Sequence, residues 1–227
     1  MDTSEKTCVL FFVKYPEKGK VKRRLSVRLG ERITIELYQK FVLDSLSMLE
    51  RSGVTFLVCC DPPDSQDKFG KWLGTGYSYL PQRGADLGQR MKNGFVDTFD
   101  CNYRQVVIIG SDSPDLPVHF IHEALSSLKT HDVVIGPSFD GGYYLIGFNY
   151  DTFLPEAFDE IDWGTDTVFT DTLKIVKNSG CTVRILPAWQ DIDTYDDLKD
   201  LITRNLDTEF RHSITMSYLS GLDGVVS

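Results

Sequence analysis

The sequence predicts a single layered α/β domain, with helices packed on a central sheet. Two kinds of apolar segment alternate along it, short continuous runs and longer stretches with helical spacing, as in layered α/β proteins. Its 227 residues, 41% hydrophobic and 25% charged, suffice for one well-filled core. No internal repeat or low-complexity linker divides it. We therefore read residues 1–227 as one domain, patterned over about 8–205, with a weakly patterned C-terminal extension at 206–227.

In order along the chain, Cys8 to Val13 is a continuous apolar run of the kind buried on both faces of a sheet. Gly30 to Gly53 carries Ile35, Tyr38, Val42, Leu46 and Leu49 at helical spacing. Val54 to Cys60 reads as a strand, Asp64 to Leu73 as a short helix and Tyr77 to Leu80 as a short strand, each bounded by Gly or Pro. Asp86 with Gln89 has the capping-box spacing of a helix start before Met91 and Phe95. Gln105 to Gly110 is the most strand-like segment, followed by a helix over His119 to Leu128 and by strands at Asp132 to Gly136 and Tyr143 to Phe148 that close a hairpin-like excursion. Asp166 to Ser179 has helical spacing, and Thr182 to Leu186 reads as a last strand. Thr194 with Asp197 caps a helix to about Arg204.

Composition excludes several function classes. The net charge of −9 would repel a polyanion, which argues against a nucleic-acid partner. Met1 to Lys6 is polar and the apolar run after it is too short for a membrane span or a signal-peptide core, so a cytoplasmic protein with no membrane span is expected. The five cysteines show no C-x-x-C pair and no histidine at ligand spacing, against a disulfide framework or a zinc site. His119, His122, His131 and His212 lack both metal spacing and a nucleophile motif and read as structural or surface residues.

Four stretches can carry chemistry. One basic island, Lys14, Lys18, Lys20, Lys22, Arg23, Arg24 and Arg28, follows the first strand. Ligands in open α/β sheets bind beyond the carboxyl ends of the strands, where a glycine-containing cationic loop can cradle phosphates. A lysine run serves equally as a solvated loop, and this one has neither Walker nor dinucleotide-turn spacing. Asp112, at the end of a strand and followed by Ser113-Pro114, is placed as a ligand of Mg²⁺ or Mn²⁺, although an ordinary Asp-Ser-Pro turn accounts for the same residues. Asp140-Gly141-Gly142 suits a tight hairpin, or a loop lying against a substrate. Around Asp162 to Thr167 and Asp191 to Thr194, a further aspartate could complete a metal site at Asp112, or cap a helix.

Taken in order, Lys14 to Leu25, Pro81 to Met91, Gly110 to Pro117 and Gly136 to Gly147 resemble the bacterial and archaeal glycosyltransferase-like proteins of the nucleotide-diphospho-sugar transferase superfamily. Trp163 to Leu173 and Asp191 to Leu198 are similar too, so the resemblance spans roughly residues 8–205. More distantly, the chain resembles the 2-phospho-lactate and molybdenum-cofactor guanylyltransferases. The resemblance implies a Rossmann-like three-layer α/β/α sandwich whose mixed, mostly parallel sheet contains one antiparallel strand.

Carried over position by position, it implies Lys14, Gly19, Lys22 and Arg24 as phosphate contacts, with Pro16, Ser111 and Ser113 also lining the nucleotide site. Gly84, Leu87, Gly88 and Arg90 would meet the base or ribose, and Asp112 and Asp193 would hold the metal. Asp140, Gly141, Gly142, Trp163 and Thr165 would face the acceptor, and Asp112, Lys22 and Arg24 would be the catalytic groups. Arg23 departs from the pattern, since many relatives carry a small hydroxyl residue there.

The activity expected is a Mg²⁺- or Mn²⁺-dependent transfer from a nucleotide-activated donor to a small-molecule acceptor. Glycosyl transfer from a nucleoside diphosphate sugar leads. The alternatives are nucleotidyl transfer from a triphosphate with pyrophosphate release, and a non-catalytic nucleotide-binding protein. A homo-oligomer is compatible with the sequence.

Overall fold

The computed structural model describes residues 6–222, so Met1 to Glu5 and the last five residues of the C-terminal extension lie outside the described residues. Seven strands form one sheet in the order β3-β2-β1-β4-β6-β5-β7. They are β1 (Thr7–Lys14), β2 (Phe56–Asp61), β3 (Tyr79–Pro81), β4 (Gln105–Ile109), β5 (Val133–Pro137), β6 (Tyr143–Asn149) and β7 (Val183–Ile185). All pairings are parallel except those of β6, which runs antiparallel to both β4 and β5.

Two apolar clusters sandwich this sheet. On one face the odd-numbered residues of β1, Val9, Phe11 and Val13, pack with helices α2 (Glu31–Ser52), α3 (Gln66–Leu73) and α5 (Val118–Ser127). On the other, Cys8, Leu10 and Phe12 pack with α4 (Leu87–Asp100) and α6 (Val168–Asn178). Burial of both sides of β1 explains its unbroken apolar run, because alternation is lost when neither face meets water. The result is the three-layer α/β/α sandwich with one reversed strand that the family resemblance implies.

Two helices stand where the sequence predicts none. The basic stretch after β1 turns into α1 (Arg23–Leu29), and the C-terminal extension contains α8 (Ile214–Ser220). Both join α7 (Tyr195–Arg204) and α2 in a third apolar cluster: Leu25, Leu29, Leu37, Phe41, Ile192, Leu198, Leu201 and Leu219. Buried Asp44 on α2 accepts from the backbone N–H groups of Ile214 (3.0 Å) and Thr215 (2.8 Å), satisfying donors that the helix itself leaves unpaired. No helix among the described residues is long and apolar enough to cross a membrane.

Candidate functional site

Topology brings the connections after β1, β2, β3, β4 and β7 to the carboxyl edge of the parallel strands. Because β6 is reversed, the β5–β6 turn joins them there. Lys22, the N-cap of α1, sits in the left-handed region (φ 45°, ψ 49°), which is uncommon for a lysine. Its ammonium meets Asp112 Oδ1 at 2.6 Å and Asp193 Oδ1 at 2.7 Å, and its side chain is only 3% exposed. Burial alone would lower the lysine pKa, but the two carboxylates outweigh it and hold the group above its ordinary value.

A second acidic group shares Asp193. One carboxylate oxygen each from Asp140, Asp191 and Asp193 lies within 4.8 Å of the others. Asp140 is fixed by the hairpin: its Oδ1 accepts from Ser138 Oγ and, at 2.9 Å, from the N–H of Gly142, while its Oδ2 accepts no hydrogen bond from the described residues. Asp191 and Asp193 flank fully buried Ile192, whose N–H donates to the Asp112 carbonyl at 2.9 Å. Burial, and then the charges of Asp140 and Asp193, push the Asp191 carboxyl up to about 6, with Lys22 opposing them. Three crowded carboxylates and no soft ligand form a donor set suited to Mg²⁺ or Mn²⁺.

The loop carrying these aspartates has its own scaffold. Asp115, whose side chain is 1% exposed, receives Arg204 Nε (2.7 Å) and Nη2 (2.9 Å), Asn205 Nδ2 (2.8 Å) and Trp189 Nε1 (3.2 Å). Trp189 N–H also donates to the Pro137 carbonyl, and the Thr194–Asp197 capping box opens α7 immediately beyond Asp193.

The other predicted residues separate into groups. In the loop after β1, Lys14 and Lys20, with Arg23 and Arg24 in the first turn of α1, are exposed and enter no ion pair among the described residues. Gly19 turns that loop at φ 68°, with half-buried Pro16 before it. Tyr38 OH clamps the end of β1, accepting from Lys14 N–H (3.0 Å) and donating to its carbonyl (3.1 Å), and it touches Ser111 Oγ at 3.0 Å. Ser111 and Ser113 are buried, which leaves their hydroxyls little access to a ligand.

Around the start of α4, Arg90 pairs with Asp61 (2.9 Å) and donates to the Gly84 carbonyl (3.3 Å), while Leu87 is exposed. A Cβ on Gly88 would stand 2.6 Å from the Trp163 ring, so Gly88 is the socket for that indole. Trp163 also meets Tyr143 edge to face, and Thr165 Oγ1 donates to the Asp162 carbonyl at 2.8 Å. Gly141 has φ 91°, and a Cβ there would fall 2.0 Å from the Asp166 carbonyl oxygen, so the hairpin and the 162–167 segment fit together only through glycine.

The structure thus joins Lys22 to Asp112 and Asp193, and it places Asp140 beside Asp193. It adds Asp191, which lies in the stretch the sequence singled out but was not chosen there as a ligand. Its signal is the Asp-Ile-Asp alternation: in extended backbone, residues two apart share a side, so a buried Ile192 turns both carboxylates the other way.

Residues 43–165 match a family model described as uncharacterized proteins conserved in bacteria (DUF2064). The chain is also 42% identical to a candidate nucleotide-diphospho-sugar transferase from Desulfovibrio desulfuricans G20, covering 98% of this chain and 97% of that one with a TM-score of 0.94. The chain belongs to this family, a glycosyltransferase-like branch of the nucleotide-diphospho-sugar transferase superfamily. The inositol-1-phosphate CTP transferase of T. maritima shares 14% identity over 98% of each chain, with a TM-score of 0.55. Rv0371c of Mycobacterium tuberculosis H37Rv, solved with manganese, shares 13% over 88% of this chain and 100% of that one, at 0.53. At these identities the likeness is one of fold. No curated protein matches the chain by sequence.

Proposed function

We propose that this protein is a divalent-metal-dependent transferase that uses a nucleotide-activated donor, with glycosyl transfer from a nucleoside diphosphate sugar as its reaction. The observation that carries this reading is a charge balance. At the carboxyl edge of the sheet Asp112, Asp140, Asp191 and Asp193 face one ammonium, that of Lys22, while in the basic loop beside them Lys14, Lys20, Arg23 and Arg24 have no ion-pair partner among the described residues. An uncompensated acidic cluster repels a diphosphate, so the two can occupy one site only with added positive charge.

Asp140, Asp191 and Asp193 would hold Mg²⁺ or Mn²⁺, with Asp112 beside them, and the ion would neutralise charge on the diphosphate leaving group. Lys14, Arg23 and Arg24 bind the remaining phosphate oxygens. Trp163, in its Gly88 socket, and Thr165 border the acceptor side with the Asp140–Gly142 turn. The protein's contribution is positioning and charge stabilisation, and no covalent intermediate on a side chain is required.

Support comes from the 42% identical relative named as a candidate nucleotide-diphospho-sugar transferase, and a manganese-bound protein of the same fold agrees with the acidic donor set. Fold likeness to a CTP transferase keeps nucleotidyl transfer as the competing reaction. Thermal shift against nucleoside diphosphate sugars and nucleoside triphosphates, with and without Mn²⁺, separates them. The expected result is Mn²⁺-dependent stabilisation by a nucleotide sugar and turnover that releases nucleoside diphosphate. Pyrophosphate release from a triphosphate overturns glycosyl transfer, and retention of full nucleotide affinity in Asp112→Ala, without turnover in the wild type, points to a binding protein.

A further inference from the structure

Lys22 occupies an unexpected place for a phosphate ligand. Its ammonium is turned inward, with the side chain only 3% exposed, and is spent on Asp112 and Asp193. Asp193 also belongs to the triad with Asp140 and Asp191. A cation held by that triad would therefore share Asp193 with the ammonium, and the two could not both have its full charge. The backbone at Lys22 is left-handed, a conformation unfavourable for a non-glycine residue, and it is tolerated here together with two close ion pairs.

We infer that Lys22 is a resident counter-cation that competes with the divalent metal for Asp193 and makes metal binding conditional on the donor's diphosphate. Without a diphosphate, the ammonium neutralises Asp112 and Asp193 and weakens the triad's hold on an ion. A diphosphate offers the ammonium other anionic oxygens, so the lysine leaves Asp193 to the metal and becomes a phosphate contact. Lys22 is thus a positioning residue that couples the two ligands, and coupling of this kind is reciprocal: metal tightens diphosphate binding by the factor by which diphosphate tightens metal binding. This inference rests on the metal-and-diphosphate reading above.

The test measures Mn²⁺ binding by calorimetry, with inorganic pyrophosphate as the diphosphate probe, in the wild type, Lys22→Met and Lys22→Gly. Glycine suits the left-handed backbone, so the second variant removes the ammonium while relieving the strained φ. Expected are weak Mn²⁺ binding to the wild type alone, roughly tenfold or greater tightening by pyrophosphate, and variants that bind Mn²⁺ roughly tenfold tighter than the wild type with little further response to pyrophosphate. As a check needing no substitution, amine-reactive labelling of Lys22 in the wild type, read by mass spectrometry, is expected to rise several-fold when saturating Mn²⁺ alone displaces the buried ammonium. Equal Mn²⁺ affinity in the wild type and both variants, or labelling unmoved by Mn²⁺, overturns the competition and leaves the metal site standing. Absence of Mn²⁺ binding in all three proteins with pyrophosphate present removes the metal site itself.

Discussion

Replacing Asp191 with asparagine should stabilise the metal-free protein and blunt its response to metal. Burial and the neighbouring Asp140 and Asp193 raise the carboxyl from 3.8 to about 6, so above that pH its charge opposes folding. A tenfold change in proton affinity corresponds to about 1.4 kcal/mol, but Asp191 keeps partial contact with water, and discounting for screening leaves a penalty of roughly 1–2 kcal/mol. Linkage sets the sign. The folded state holds this proton more tightly than the unfolded state, so the stabilising protonation is complete below the unfolded value and is lost as pH rises through about 6. Asparagine carries no such penalty. In EDTA at about pH 7.5 the variant should melt roughly 2–8 °C higher than the wild type, and the gain should shrink as pH falls to about 4.5. In the same melts, saturating Mn²⁺ should raise the wild-type Tm well above that of the metal-free form, and the variant should respond far less. An unchanged or lower melting temperature in EDTA, or a gain equal at both pH values, would refute the electrostatic account of the triad.

Other outcomes follow from the same geometry. Asp112→Ala should cut turnover about a hundredfold or more while leaving the far-UV spectrum unchanged, because it removes a carboxylate of the proposed reaction centre; kcat measured with a nucleotide-sugar donor checks this. Gly141→Ala should cost about 2–4 kcal/mol in urea unfolding, since the added methyl meets the Asp166 carbonyl and the backbone has positive φ. Asp115→Ala should cost about 3–5 kcal/mol by the same measure, because Arg204 loses its buried partner beneath the 189–193 loop. Arg23→Gln with Arg24→Gln should weaken donor binding and flatten its dependence on salt, read by titration at two ionic strengths.

The layered fold was legible because its signals are local. An apolar run buried on both faces, a helical period over Glu31–Ser52 and the two capping pairs are each written within a few neighbouring residues. Helix α1 was hidden by its own charges. Val21, Leu25 and Leu29 have helical spacing, but the lysines and arginines between them read as a loop, and the helix gains its packing from Phe41 and Leu198, far along the chain. Helix α8 has a local cap, Ser213 accepting from Met216 N–H, but its other first-turn acceptor, Asp44, and its apolar partners Leu37 and Phe41 lie on α2, far back along the chain. Within the candidate site, the stretches containing Asp112 and Asp140 stood out because each follows a strand or a turn signal, whereas Asp193 came with the family resemblance. That Lys22 would be held by two of those aspartates was beyond sequence reading, because the pairing spans 171 residues to Asp193 and depends on the left-handed turn before α1.

The one reversed strand decides how firmly each side of the Asp140, Asp191 and Asp193 triad is mounted. Two parallel neighbours need a crossover of about a dozen residues or more, whereas the antiparallel pair β5–β6 closes with only Ser138 to Gly142 between its strands. Asp140 therefore rides on a short, internally bonded tip between two core strands, like the fixed jaw of a vice. Asp191 and Asp193 ride on the longer span between Ile185 and Tyr195, pinned chiefly by Ile192 and the Asp115 network, as the travelling jaw. Of the two sides the second has more chain between its anchors, and its set screw is the buried isoleucine.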